Sequence, residues 1–183
     1  MKVIIVHGSN DSEEEAKSEK LGPENLRQWK PWLKKELESR KIEVSNELYP
    51  EDWNPNYGEW KKVFEKNKID ENSILIGHSA GTSFLVRWLG ESKKKIKKLI
   101  LVAPWKFSEN KLRESFYDFS INPLIKKQIK EIIYFTSNDE HFLGKKSLKA
   151  FHEILGGEIL ELKNHGHFTR RKEFPELLQE ILE

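Results

Sequence analysis

The chain has 183 residues, a formal net charge of +2, 37% hydrophobic and 34% charged residues, and no cysteine. That length suits one domain around one sizeable core, and the balance is that of a globular chain rather than a disordered one. So small a net charge gives no reason to expect nucleic acid or a membrane surface as partner, and the absent thiols exclude disulfides, thiolate zinc sites and a cysteine nucleophile.

The chain starts "MKVIIVHGSN", with one lysine and four apolar residues, Val3 to Val6, ahead of His7. That run is too short for a signal h-region, and no later stretch is apolar for long enough to span a bilayer, so a soluble cytoplasmic protein is expected. Short β-branched runs predict strands at 3–6, 42–48, 73–76, 98–102, 132–136 and 158–162. Leu26, Trp29, Leu33 and Leu37 fall on one face of a first helix. Pro31 interrupts that run and should restart the helix near itself. A second helix begins over Trp60 to Phe64, and a third covers 80–89. A fourth covers 145–155 and is closed by Gly156-Gly157; the last, 174–182, has Pro175 in its first turn. The lysine run at 93–98 reads as solvated charge at a helix end. Six strands alternating with five main helices predict a three-layer αβα sandwich around a six-stranded, mostly parallel sheet, all within a single domain over 1–183.

Residues 104–130 do not fit the alternation. They hold Trp105, Phe107, Phe116, Tyr117 and Phe119 and are too long for an ordinary connection. Two readings stand side by side: a lid or pocket wall, and surface helices whose aromatics pack down.

Chemistry concentrates at "LIGHSAGTS", 75–83, where Ser79 stands between Gly77 and Gly81 directly after the third predicted strand. A serine hydroxyl is a poor nucleophile unless a base takes its proton, an acid orients the base, and donors receive the oxyanion. G-x-S-x-G between a strand and a helix is the pattern of a nucleophile elbow. No lysine follows Gly81, so the phosphate-loop reading of the same glycines fails. The order required downstream is acid, then histidine, each after a later strand. Asp139 follows the fifth strand, with Glu140 beside it as the competing carboxylate. Asp139 is favoured as the shorter group in a tight loop after Ser137-Asn138. After the sixth strand, His165 and His167 both qualify as the base. Six histidines with no HExxH spacing give no metal site, and no cofactor is needed.

Together these segments resemble the small serine hydrolases of the α/β-hydrolase superfamily, most closely the retinoblastoma-binding protein 9 / YdeN-type family. The segments are "VIIVHGS", "WKPWLKKELESR", "LYP", "LIGHSAG", "LILVAPW", "SNDEHF" and "GHF". The resemblance implies a minimal α/β-hydrolase fold with Ser79 as nucleophile, Asp139 as acid and His167 as base, leaving His165 as a neighbour. It places the oxyanion donors at the amides of Ser9 and Ala80, with His7 shaping the loop. The retinoblastoma-protein motif contains cysteine, so that partner does not carry over. The expected activity is cleavage of a small-molecule ester or amide through an acyl-enzyme. Trp53, Tyr57, Trp105, Phe107, Phe116 and Phe119 are expected to form an aromatic substrate wall. The alternative is a protein-binding module that keeps the fold without the chemistry.

Overall fold

The computed structural model of the protein describes residues 1–21, 29–108 and 110–183. Leu26, expected on the inner face of the first helix, lies outside them. Six strands form one sheet: β1 (Lys2–Val6), β2 (Glu43–Ser45), β3 (Ser73–His78), β4 (Ile96–Val102), β5 (Ile129–Ser137) and β6 (Glu158–Leu162). Their spatial order is β2-β1-β3-β4-β5-β6, and every neighbouring pair is parallel.

The pleat explains the layers. Val3, Ile5, Ile74, Ile76, Ile100 and Ile133 face one way, onto Trp29, Leu33 and Leu37 and onto Leu177 and Ile181. Those partners belong to α2 (Trp29–Ser39) and α7 (Pro175–Leu182). Ile4, Val6, Leu75, Leu99 and Tyr134 face the other way. There they meet α3 (Tyr57–Phe64), α4 (Ala80–Glu91) and α6 (Phe142–Leu155). Both faces are therefore apolar, which is why the strands read as continuous hydrophobic runs rather than alternating ones.

Departures from the expected elements have local causes. β2 keeps only three paired residues because it is an edge strand, followed by the polar Asn46-Glu47. α1 (Glu13–Leu21) was not expected. It is started by Ser12, whose Oγ accepts the Glu15 N–H at 3.1 Å, while Glu15 Oε2 accepts the Asp11 N–H at 2.9 Å. This is close to a capping box, and the S-x-x-E spelling was present. Pro31 lies within α2, close to the start of its described residues Trp29–Ser39. Segment 104–130 contains α5 (Glu114–Tyr117) between two short 3₁₀ turns, Lys111–Arg113 and Pro123–Lys127. Among the described residues no helix is long and apolar enough to cross a membrane.

The sheet order sets the site. The chain runs from β1 to the edge strand β2, then returns to β3 on the opposite side of β1. The crevice at the carboxyl ends of β1 and β3 is the switch point where open α/β sheets hold ligands.

Candidate active site

Ser79 sits at that switch point, between β3 and α4, with φ 52° and ψ −119°. A non-glycine residue in this region is strained and persists only where its surroundings fix it. Here the Ser79 N–H donates to Val102 O at 3.0 Å, and Ser79 O accepts from the Thr82 amide and hydroxyl at 2.9 and 2.6 Å. The two flanking glycines are demanded by space. A Cβ on Gly81 would lie 2.3 Å from Val6 O, and one on Gly77 would lie 2.8 Å from the Gly81 backbone. Glycine at 77 and 81 is thus what lets β3 turn so sharply into α4 beside β1.

His167 reaches the serine. Its Nε2 lies 2.8 Å from Ser79 Oγ, and its Nδ1 lies 3.0 and 3.1 Å from the two carboxylate oxygens of Glu140. An ionised carboxylate only accepts, so Nδ1 carries the proton and Nε2 presents its lone pair to the hydroxyl. The Glu140 side chain is fully buried, and its Oε1 also accepts the His141 N–H at 2.8 Å. α6 begins at Phe142, so the positive end of a helix dipole adjoins the carboxylate. His167 keeps 26% of its side chain exposed, toward the crevice a substrate must enter.

The expectation for the acid is corrected. Asp139 does not touch His167; its Oδ1 accepts from Ser137 Oγ and from the Gly166 N–H instead. These bonds, the hydroxyl foremost, hold the Asp139 carboxyl below its ordinary range. The longer Glu140 reaches the imidazole because Gly144, one helical turn on, leaves it room. A Cβ there would be 2.7 Å from Glu140 Cγ. His165 is also placed: its ring stacks on Phe168, away from Ser79.

His78, the second residue of the elbow motif, holds His167 from behind. Its Nε2–H donates to His167 O at 2.9 Å. Full burial, and then the Lys30 charge, hold its pKa well below the usual imidazole value, so it is neutral.

The loop after β1 packs onto the serine. A Cβ on Gly8 would lie 2.9 Å from Ser79 Cβ, so glycine is needed for this approach. His7 shapes the turn as expected: Nε2 accepts the Tyr49 N–H at 2.8 Å, leaving Nδ1–H to donate to Gly8 O at 2.6 Å. Ser9 lines the cavity beside Ser79. Tyr117 also lines that cavity, and burial pushes its hydroxyl up to about 12, so it stays protonated. Arg113 Nη2 donates to the carbonyls of Asn10 and Asp11, both at 2.9 Å, so the 104–130 segment braces this loop. Ala80 is the first residue of α4, where the opening amides have no acceptor within the helix.

A family model described as serine hydrolase matches residues 3–181. The chain belongs to the serine hydrolase family. No curated protein matches it. Among solved structures it resembles the ydeN gene product of B. subtilis at TM-score 0.83 and 20% identity, over 99% of this chain and 96% of that one. A methylesterase from Arabidopsis follows at TM-score 0.66 and 13% identity, over 100% and 97%. A carboxylesterase from Bacillus subtilis has TM-score 0.60 and 12% identity, over 99% and 82%. At these identities the likeness is one of fold.

The serine hydrolase site opens into a cavity of about 1000 Å³ among the described residues. Its lining corrects the aromatic wall. Of the six expected residues only Trp105 faces it, edge-on to His167 with ring centroids 5.2 Å apart. Phe116 is buried against Trp60, and Tyr57 donates to Glu91 Oε2 at 2.7 Å with Arg87 over its ring. Phe119 lies beneath Lys106, Phe107 beneath Lys146, and Trp53 does not line the cavity. Tyr57, Phe116 and Phe119 serve the helix layer, where burial of apolar area draws them. Polar groups take their place at the site, among them Asn10, Asn46, Asp52, Arg113 and Lys30.

Proposed function

We propose that this serine hydrolase cleaves a small carboxylic ester through an acyl-enzyme, with Ser79 as nucleophile, His167 as base and Glu140 as the orienting acid. One observation carries the reading: a single imidazole bridges Ser79 Oγ at 2.8 Å and a fully buried carboxylate at 3.0 Å. Solved relatives named as a carboxylesterase and a methylesterase support ester over amide.

In the forward step Nε2 takes the Ser79 proton as Oγ attacks the carbonyl carbon, and Glu140 faces the imidazolium that results. The tetrahedral oxyanion is received by the Ala80 amide at the α4 N-terminus and by the Ser9 amide. His167 then passes its proton to the leaving alcohol, and water activated in the same way releases the acid. The substrate proposed carries both polar and apolar groups, because the cavity is lined by Asn10, Asn46 and Arg113 as well as by Leu48, Trp105 and Leu143. The assembled contact between base and nucleophile favours this reading over a binding module, which has no use for it.

The test is steady-state hydrolysis of short-chain nitrophenyl esters by the wild type, Ser79→Ala and His167→Ala. Turnover lost in both variants, with folding retained, is the expected result. A wild type that leaves every ester intact contradicts the proposal.

A further inference from the structure

Three consecutive side chains at the end of β5 each receive one of three consecutive backbone amides in the loop that carries His167. Asn138 Oδ1 accepts the Asn164 N–H at 2.8 Å, and Ser137 Oγ accepts the His165 N–H at 2.9 Å. Asp139 Oδ1 accepts the Gly166 N–H at 2.8 Å. The loop needs such support, since the non-glycine residues Asn164 and Phe168 have positive φ, at 61° and 59°.

Asp139 is the member that also holds Ser137. The Ser137 hydroxyl accepts from His165, so its own proton must point elsewhere, and it is donated to Asp139 Oδ1 at 2.5 Å. An ionised carboxylate is acceptor-only and takes this proton and the Gly166 N–H together. On the far side, His78 Nε2–H holds the carbonyl of His167 itself. The residue that carries the base is therefore fixed by its carbonyl, and by the amide of the residue before it.

We propose that Ser137, Asn138 and Asp139 form an amide cradle that positions His167 against Ser79, and that Asp139 is its anchor, a positioning residue rather than the triad acid. This rests on the serine hydrolase reading and adds a second carboxylate with a separate task. Two adjacent acids, Asp139 and Glu140, thus divide the work: one holds the backbone of the histidine loop, the other its ring.

The test compares Asp139→Ala, Asp139→Asn, Ser137→Ala and Glu140→Gln for kcat and KM on nitrophenyl acetate. Exchange of the Gly166 amide proton is followed by NMR in the same proteins. A displacement of the base by about 1 Å lowers turnover by about a hundredfold. Asp139→Ala is therefore expected to lower kcat roughly ten- to a hundredfold, with KM little changed and Gly166 protection lost. Asp139→Asn keeps an oxygen acceptor and should restore most of both. Ser137→Ala should move in the same direction as Asp139→Ala. Unchanged kcat and Gly166 protection in Asp139→Ala overturns the cradle. So does an Asp139→Asn as inactive as His167→Ala beside an active Glu140→Gln, which returns the acid's role to Asp139. If the wild type turns over no ester, the serine hydrolase reading fails separately, and amide exchange alone decides whether the cradle holds the loop.

Discussion

Glu140→Gln tests the proposed acid most sharply. In the wild type, Oε1 accepts both the His141 N–H at 2.8 Å and the His167 Nδ1–H at 3.0 Å, and Oε2 lies 3.1 Å from the same nitrogen. In glutamine the His141 amide retains the oxygen at the first position, which puts the amide NH2 at the second. That donor opposes the Nδ1–H at the second contact, leaves it Oε1 alone as acceptor, and so weakens the preference for the tautomer whose Nε2 lone pair can accept from Ser79. The imidazolium also loses its buried counter-charge. The equivalent neutralisation in a Ser-His-Asp protease lowers kcat about 10⁴-fold, so a fall on the order of 10³ to 10⁴ is expected here. That is about 4 to 5.5 kcal/mol of transition-state stabilisation. Glu140→Asp withdraws the carboxylate by about 1.5 Å and should fall between, near a hundredfold. The assay is kcat on nitrophenyl acetate, with thermal unfolding as the control for folding. A Glu140→Gln protein that keeps a tenth or more of wild-type kcat refutes the reasoning.

Gly144→Ala should act through the same carboxylate. Alanine is ordinarily the better helix former by about 1 kcal/mol. Here its Cβ meets Glu140 Cγ at 2.7 Å and Cδ at 2.9 Å, so the acid must shift. Tm should stay within about 4 °C while kcat drops tenfold or more; equal activity would show that the space is not needed. Arg113→Gln removes the bond to the Asn10 and Asp11 carbonyls and should lower kcat on nitrophenyl acetate several-fold; an unchanged rate would disconnect that arginine from the oxyanion loop. His78 is held neutral by burial, so its folded pKa lies below the unfolded value of about 6.5. Above that value neither state binds the proton and nothing is lost. As pH falls below it, the unfolded chain takes up a proton that the folded one refuses, and stability declines by up to about 1.4 kcal/mol per pH unit. Urea midpoints between pH 7.5 and 5 should show this slope in the wild type and a shallower one in His78→Gln; identical slopes would assign the loss to another group.

Much of this was legible in the sequence because the determining constraints are local. The elbow depends on Gly77 and Gly81, whose need follows from backbone approach within a few residues, and the sheet follows from six apolar runs in order. The resemblance favours His167, whereas the residues alone leave His165 open. The choice between Asp139 and Glu140 was not local. Which adjacent carboxylate reaches the imidazole depends on how β5 delivers its last residues to α6, and on the gap at Gly144. A glycine four residues after Glu140, at a helix start with no turn to require it, was the available signal. The aromatic wall failed for a general reason: aromatic residues in long connections lower the free energy by burial on any apolar layer, and nothing in their spacing says which. Arg113 carried no pattern at all, because its partners are backbone carbonyls some hundred residues earlier.

The central claim is that Ser79 is an activated nucleophile. The most direct measurement is intact-mass and peptide mapping after treatment with a fluorophosphonate, on the wild type beside Ser79→Ala and His167→Ala. A single adduct on the peptide containing Ser79, absent from both variants, is the predicted result. A folded wild type that takes up no probe, or one labelled equally without His167, would contradict it.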